Sequence, residues 1–236
     1  MAKPPHFFNH PEARAVFGRA CDLIAESDRG AVLIATELVA EQLELLFRAT
    51  APADMSVKRV RAILECPGVL SGLAAKIDIG LMCGLFGARL GNALHALRRL
   101  RNDCAHSAQA FRLRDRWQDY RKAFALGDGL PEWINRTVLE VTMKGVVARL
   151  QEIRMPNDLG GEPAFKTPDE VLKHLEDHPD LLADLGETMP RRELAVATAM
   201  MCGLVILHRE HRVEHRGEQA GPNKIRPERD PDPEAE

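Results

Sequence analysis

The amino-acid sequence predicts an all-α fold, a helical bundle of about six to eight helices. Three observations point there. Ala, Leu and Arg dominate while aromatic residues make up only 5% of the chain, a composition that favours helices over strands. Apolar residues recur at three- and four-residue spacing in one segment after another, and no segment alternates convincingly as a strand. Capping residues, prolines and glycines fall between those segments, where helices begin and stop.

The first segment, residues 11–26, has Pro11 in a first turn that tolerates proline, with Asn9 as the expected cap. Val16, Phe17, Ala20, Cys21 and Ile24 make its apolar face. Ser27-Asp28 offers the next cap, and 30–50 reads as a long helix with Val32, Ala35, Val39, Leu43 and Leu46 in one stripe. Leu33, Leu38, Leu45 and Phe47 widen that stripe, so the helix should be covered on two sides, with Glu37, Glu41 and Glu44 on a solvated face.

Ser56 opens a short helix that Cys66-Pro67-Gly68 must end. Ser71 can cap the next, 72–86, which Gly87 should stop. Gly80 and Gly84 lie four residues apart, a spacing that implies a close approach by a neighbour. Residues 89–107 follow, with Leu90, Ala93, Leu94, Leu97, Leu100 and Cys104 as the apolar stripe.

Residues 115–126 form another expected helix, its aromatic side on the core, and Gly127-Asp128-Gly129 breaks the chain. The helix over 131–154 should turn Trp133, Val138, Val141, Val146 and Leu150 inward. Residues 157–168 read as loop. Thr167 and Glu170 have capping-box spacing, and His178-Pro179 and Met189-Pro190 bracket a further short element. Residues 191–215 form the last long helix. Its apolar heart, 194–207, is too short for the roughly 20 residues of a membrane span and should fill the core. The chain thus reads as one helical domain over 1–215, with a Pro-rich, charged tail over 216–236 expected to be disordered.

Composition also narrows function. Hydrophobic content of 45% with 28% charged residues suits a soluble globular protein. A net charge of −3 argues against a surface that binds polyanions everywhere. Cys21, Cys66, Cys83, Cys104 and Cys202 are scattered and odd in number, which suits free, mostly buried thiols in a reducing cytoplasm. Residues 1–10 contain no apolar h-region, so no leader is expected. His208, His211 and His215 share a helical face, but Arg209, Arg212 and Arg216 beside them would repel a cation. A solvated helix end is expected, with no metal and no cofactor.

The segment whose chemistry exceeds what folding requires is 97–107. Arg98, Arg99, Arg101, Asn102 and His106 crowd its polar side and make it the expected interaction surface. Seven arginines and one lysine fall between His95 and Lys122, with Trp117 and Tyr120 among them, a candidate nucleic-acid surface. In an ideal helix Asn102 and His106 share a face, and Arg101 lies about 140° from His106. A cation, an amide and an imidazole can grip a phosphate, and the imidazole can move a proton near neutral pH. A metal-independent ribonuclease needs those parts, doubled across a two-fold dimer. The alternative is that Asn102 and His106 merely close the helix end. Cys104 falls on the apolar stripe, without a positioned base, and reads as a small core residue.

Three blocks carry a resemblance. Asp28-Arg29-Gly30-Ala31-Val32-Leu33-Ile34 opens a long helix. Leu70-Ser71-Gly72-Leu73-Ala74-Ala75-Lys76-Ile77-Asp78-Ile79-Gly80-Leu81 follows, then Leu97-Arg98-Arg99-Leu100-Arg101-Asn102-Asp103-Cys104-Ala105-His106-Ser107. Their order and spacing resemble the mannitol operon repressor family of bacterial regulators. The likeness covers residues 19–112 well and the rest loosely, with 128–190 looking like extra or diverged material. It implies an all-helical regulator acting in transcriptional repression, and a dimer that works through a protein partner or an unusual surface is expected in place of ordinary groove reading. No helix-turn-helix with a basic recognition helix is legible here, which agrees with that family's lack of a DNA-reading motif. Arg101-Asn102-x-x-x-His106 also resembles the R-N-x-x-x-H signature of HEPN domains, helical dimers that include ribonucleases. On that likeness Arg101 and His106 would be the catalytic pair and Asn102 the adjacent polar residue. The regulator is the expected function, and the endoribonuclease the alternative.

Overall fold

The structure is a computed structural model that describes residues 10–106, 110–155 and 161–219. Its regular elements are helical, and the β pairing among the described residues is one isolated bridge between Arg154 and Pro163. In order they are α1 (Pro11–Cys21), α2 (Asp28–Thr50), α3 (Val57–Leu64), α4 (Leu73–Met82), α5 (Ala88–His106), α6 (Trp117–Lys122), α7 (Leu130–Gln151), α8 (Pro168–Asp177) and α9 (Ala183–Gln219). Short 3₁₀ turns at Asp22–Ala25, Arg114–Arg116 and Pro179–Leu182 join some of them.

The bundle is built on α2 and α9. The two pack along each other, α1 lies on α9, α5 lies on α2, and α4 and α6 lean on α5, while α7 joins α9 and carries α8. Small side chains explain the intimacy. Ala31 and Ala35 on α2 and Ala195, Ala197 and Ala199 on α9 are buried beside Leu43, Leu46, Leu194 and Met201. Two buried hydroxyls are satisfied within their own helices: Thr36 donates to the Val32 carbonyl at 2.8 Å and Thr198 to the Leu194 carbonyl at 2.7 Å.

Caps set the helix starts. The hydroxyl of Ser27 accepts from the Gly30 amide at 3.1 Å, as its position before α2 predicts. Asp28 beside it bridges elements instead. Its carboxylate accepts from the Leu113 amide at 2.8 Å and lies 3.4 Å from Arg191 of α9. The cap of α1 is His10, whose Nδ1 accepts from the Ala13 amide at 3.3 Å, while Asn9 falls outside the described residues. With Nδ1 accepting, Nε2 carries the proton and donates to Glu210 of α9. Thr167 caps α8, but Glu170 bonds the Lys166 amide at 2.7 Å, not that of Thr167, so the capping box is displaced by one residue.

Several expectations change. α1 ends at Cys21 and the chain tightens into a 3₁₀ turn before Glu26. α4 stops at Met82, five residues before Gly87. Gly84 sits at φ 62°, the Leu85 amide donates to the Gly80 carbonyl and the Gly84 amide to that of Leu81, the Schellman arrangement. The expected close approach is at Gly80 alone, where a β-carbon would lie 2.5 Å from the buried ring of Phe86. Met189-Pro190 brackets no break, because α9 runs through Pro190. Proline removes one backbone bond, but Glu193, one turn on, is held by Tyr120 and Asn135, and the residues beyond it are buried on α2. Helix also continues to Gln219, so 216–219 are not the start of a disordered tail, and the remainder of that expectation lies outside the described residues.

The inward face of α7 is a second correction. Ile134, Val138 and Thr142 are buried, whereas Trp133 is 48% and Val141 63% exposed. The helix is apolar on two adjacent faces, and periodicity alone did not separate them. In α6, Tyr120 is buried against Phe124 as expected, but Trp117 is half exposed, with the Arg121 guanidinium 5.7 Å from its ring centroid. None of the five cysteines is bridged, but only Cys104 and Cys202 are buried; Cys66 and Cys83 are exposed.

Candidate functional site

Between α2, the start of α4 and the second half of α5 lies a cleft of about 870 Å³. α2 contributes Glu37, Glu41 and Glu44 to its wall, the segment after α3 contributes Glu65 and Cys66, and α1 adds Arg19. Ser71, Gly72, Leu73 and Ala74 form the edge at the N-terminus of α4, and Lys76 follows one turn on. From α5 come Arg98, Arg101 and Asn102, three positions within about 100° of helical arc.

Most charges in this wall are matched. Lys76 has a side chain only 5% exposed and reaches Glu44 at 3.0 Å. Arg48 reaches the same carboxylate at 2.7 Å and Glu65 at 2.9 Å. Arg19 meets Glu41 at 2.8 Å. Burial works to raise the Glu44 carboxyl, but the hydrogen bonds and charges of Arg48 and Lys76 outweigh it, and the group lies below its ordinary value. The solvated face expected for the three glutamates is therefore corrected for Glu44, which is partly buried and doubly paired.

The two α5 arginines in this wall have no ion pair among the described residues. Arg98 has a buried Nε with no hydrogen-bond partner, and no carboxylate of the described residues lies within ion-pair distance of its guanidinium. Arg101 donates to its neighbour Asn102 at 3.3 Å and is likewise without a carboxylate. The edge of α4 is bare in the same sense. Its cap position is Gly72, and no side chain caps the first amides of the helix.

The other residues of the 97–107 segment point elsewhere. Arg99 and His106 are exposed and lie outside the cleft wall. Cys104 is buried, its Sγ 3.1 Å from the Arg101 carbonyl, and burial pushes its thiol up, as suits a core residue. The basic run from His95 to Lys122 is divided: Arg98 and Arg101 line the cleft, Arg114 meets Glu187 at 3.2 Å, and Lys122 meets Asp119 at 3.0 Å. Sequence reasoning missed Lys76, Glu44 and the α4 edge. A lone lysine in the apolar stretch Leu73–Met82 was the available signal, since a buried ammonium requires a partner.

At the far end of α9 the expected solvated face is partly built in. Arg209, 17% exposed, pairs with Glu12, and Arg212 donates to the Gly84 carbonyl. Burial lowers His208, with Arg212 and His211 adding to the effect. Among the described residues no group of three His, Cys, Asp or Glu could hold a metal ion, and no helix is long and apolar enough to cross a membrane. Compared with family models, with curated proteins and with solved structures, the chain matches none.

Proposed function

We propose that the chain is a non-catalytic regulatory module of the mannitol-repressor type, a homodimer that acts in transcription through a protein partner and recognises it, or an effector, by the α5 surface. The observation that supports this reading is the division of the signature. α5 turns Arg98, Arg101 and Asn102 into the cleft and leaves His106 exposed beyond it. The cleft of one copy therefore holds the cation and the amide without the imidazole, and general acid–base chemistry on a phosphate there would need a His106 from elsewhere. The cleft groups are suited to binding, since a guanidinium holds an anion without a proton transfer.

One observation favours the endoribonuclease as a second reading. His106 is exposed and Arg101 has no carboxylate partner among the described residues, so a second protomer facing α5 could bring Arg101 and His106 of the two copies together. The deciding experiment incubates purified protein with labelled structured RNA in chelator, beside Arg101→Ala and His106→Ala. In parallel, transcript 5′ ends are mapped in cells with and without the protein. The regulator predicts intact RNA and altered initiation at a limited set of promoters. Cleavage that both substitutions abolish, with circular dichroism and oligomeric size unchanged, overturns it in favour of the nuclease.

A further inference from the structure

We propose that the α2/α4/α5 cleft is a binding site for a small organic anion whose phosphate or carboxylate head is held by Arg98, Arg101 and the free amides at the start of α4. This deepens the regulatory reading by naming what the cleft takes, and rests on it only in treating the cleft as a place of binding.

Charge matching around the cleft carries the argument. Glu41, Glu44 and Glu65 are each engaged by Arg19, Lys76 or Arg48. Among the described residues, what remains is two guanidiniums against one carboxylate, Glu37, which forms no ion pair with any of them. Arginines in proteins are always protonated, and a buried Nε–H left without an acceptor is less stable than one that has found a partner. Arg98 has such an atom in the wall of a cleft. An oxyanion supplies the missing acceptor, and the planar guanidinium fork fits phosphate and carboxylate alike.

The edge of α4 adds an independent donor set. Ser71, Gly72, Leu73 and Ala74 line the same cleft, and with glycine at the cap the first helical amides have no side-chain acceptor. Free amides and the positive end of the dipole both favour an anion there. At about 870 Å³ the cleft is far larger than a bare phosphate and falls in the range of small-molecule sites. Ile34, Leu38 and Leu45 give part of the wall an apolar character, and Glu37 can accept hydrogen bonds from hydroxyl or amine groups on the ligand's body. A second strongly anionic group would meet Glu37 and be disfavoured.

The test follows thermal unfolding and calorimetric binding with glycerol phosphate, glycerate and neutral glycerol, which differ in the head group. Glycerol phosphate or glycerate should raise Tm and bind, and glycerol should do neither. Arg98→Gln and Arg101→Gln should each weaken that binding by about tenfold or more, and Glu37→Gln should strengthen it. The Glu37 variant keeps the test decisive where an arginine variant is too unstable to assay. No binding of either anion, or binding unchanged in Arg98→Gln/Arg101→Gln, overturns the proposal. RNA cleavage in the preceding experiment would overturn the regulatory reading while these binding results stood, so the two fail separately.

Discussion

The ammonium of Lys76 lies 3.0 Å from Glu44, its one partner among the described residues, whereas Glu44 also holds Arg48. The pair is therefore unequal. Glu44→Gln strands a buried lysine and should cost about 2–3 kcal/mol. Lys76→Met leaves the carboxylate with Arg48 and should cost less than about 1 kcal/mol. Urea unfolding of both variants and the double variant checks the asymmetry, and equal costs would refute it.

The same carboxylate sets an acid limit. Its folded-state pKa lies below the ordinary 4.5, so its contribution is complete above that value and is lost as pH falls through the folded one. Stability of the wild type should fall more steeply below about pH 4.5 than that of Glu44→Gln. Urea midpoints between pH 3 and 7 would report this, and parallel curves would exclude it.

Tyr120 is the only tyrosine of the chain, so tyrosinate absorbance reads it alone. Burial and the hydrogen bond to Glu193 at 2.8 Å hold its hydroxyl well above the ordinary 10. A raised folded pKa means that the contribution is complete below pH 10 and is lost as pH rises through the folded value. Tyrosinate should appear only as the fold opens, and Tyr120→Phe should cost about 1–3 kcal/mol. Titration near pH 10 with the fold intact would contradict the burial.

Gly80 and Gly84 should respond differently to alanine. At Gly80 the new methyl meets the Phe86 ring and should cost about 1–3 kcal/mol by overpacking. At Gly84 the nearest atom to the new methyl is the end of the Arg212 side chain at 4.0 Å, an ordinary contact, and the cost, about 1 kcal/mol, comes from the positive φ. Substitution with asparagine, which tolerates that φ, should recover part of the loss at Gly84 and none at Gly80.

The register of α7 is open to direct test. Ile134→Ala should cost about 2–5 kcal/mol, and Val141→Ser should fall within about 0.5 kcal/mol of wild type. Both tryptophans, Trp117 and Trp133, are about half exposed and should be readily quenched by acrylamide. The reverse pattern would mean that the apolar faces had been exchanged.

The helices were legible in the sequence where a single apolar stripe met a clear cap, as in α2 behind Ser27 and α5 behind its six-residue stripe. Pro190 misled because burial downstream outweighs one lost backbone bond, an effect that no local pattern carries. Gly84 misled because a glycine at helical spacing and a glycine at φ 62° look alike in a string of letters. In the cleft, Arg98, Arg101 and Asn102 could be named from α5 alone. Glu44 and Lys76 could not be paired, because they are joined by packing across 32 positions of chain.

Leu43 of α2 and Leu194 of α9 belong to one core, although the first is synthesised about 150 residues ahead of the second. At about 5–20 residues per second, the apolar stripe of α2 spends roughly 8–30 s on the ribosome before its cover is made. Local helices can form in that interval, but the bundle cannot close. Until then the nascent chain presents the surface that chaperones bind and that aggregates grow from. Its yield in cells should therefore depend on translation speed and on folding helpers far more than its finished stability suggests.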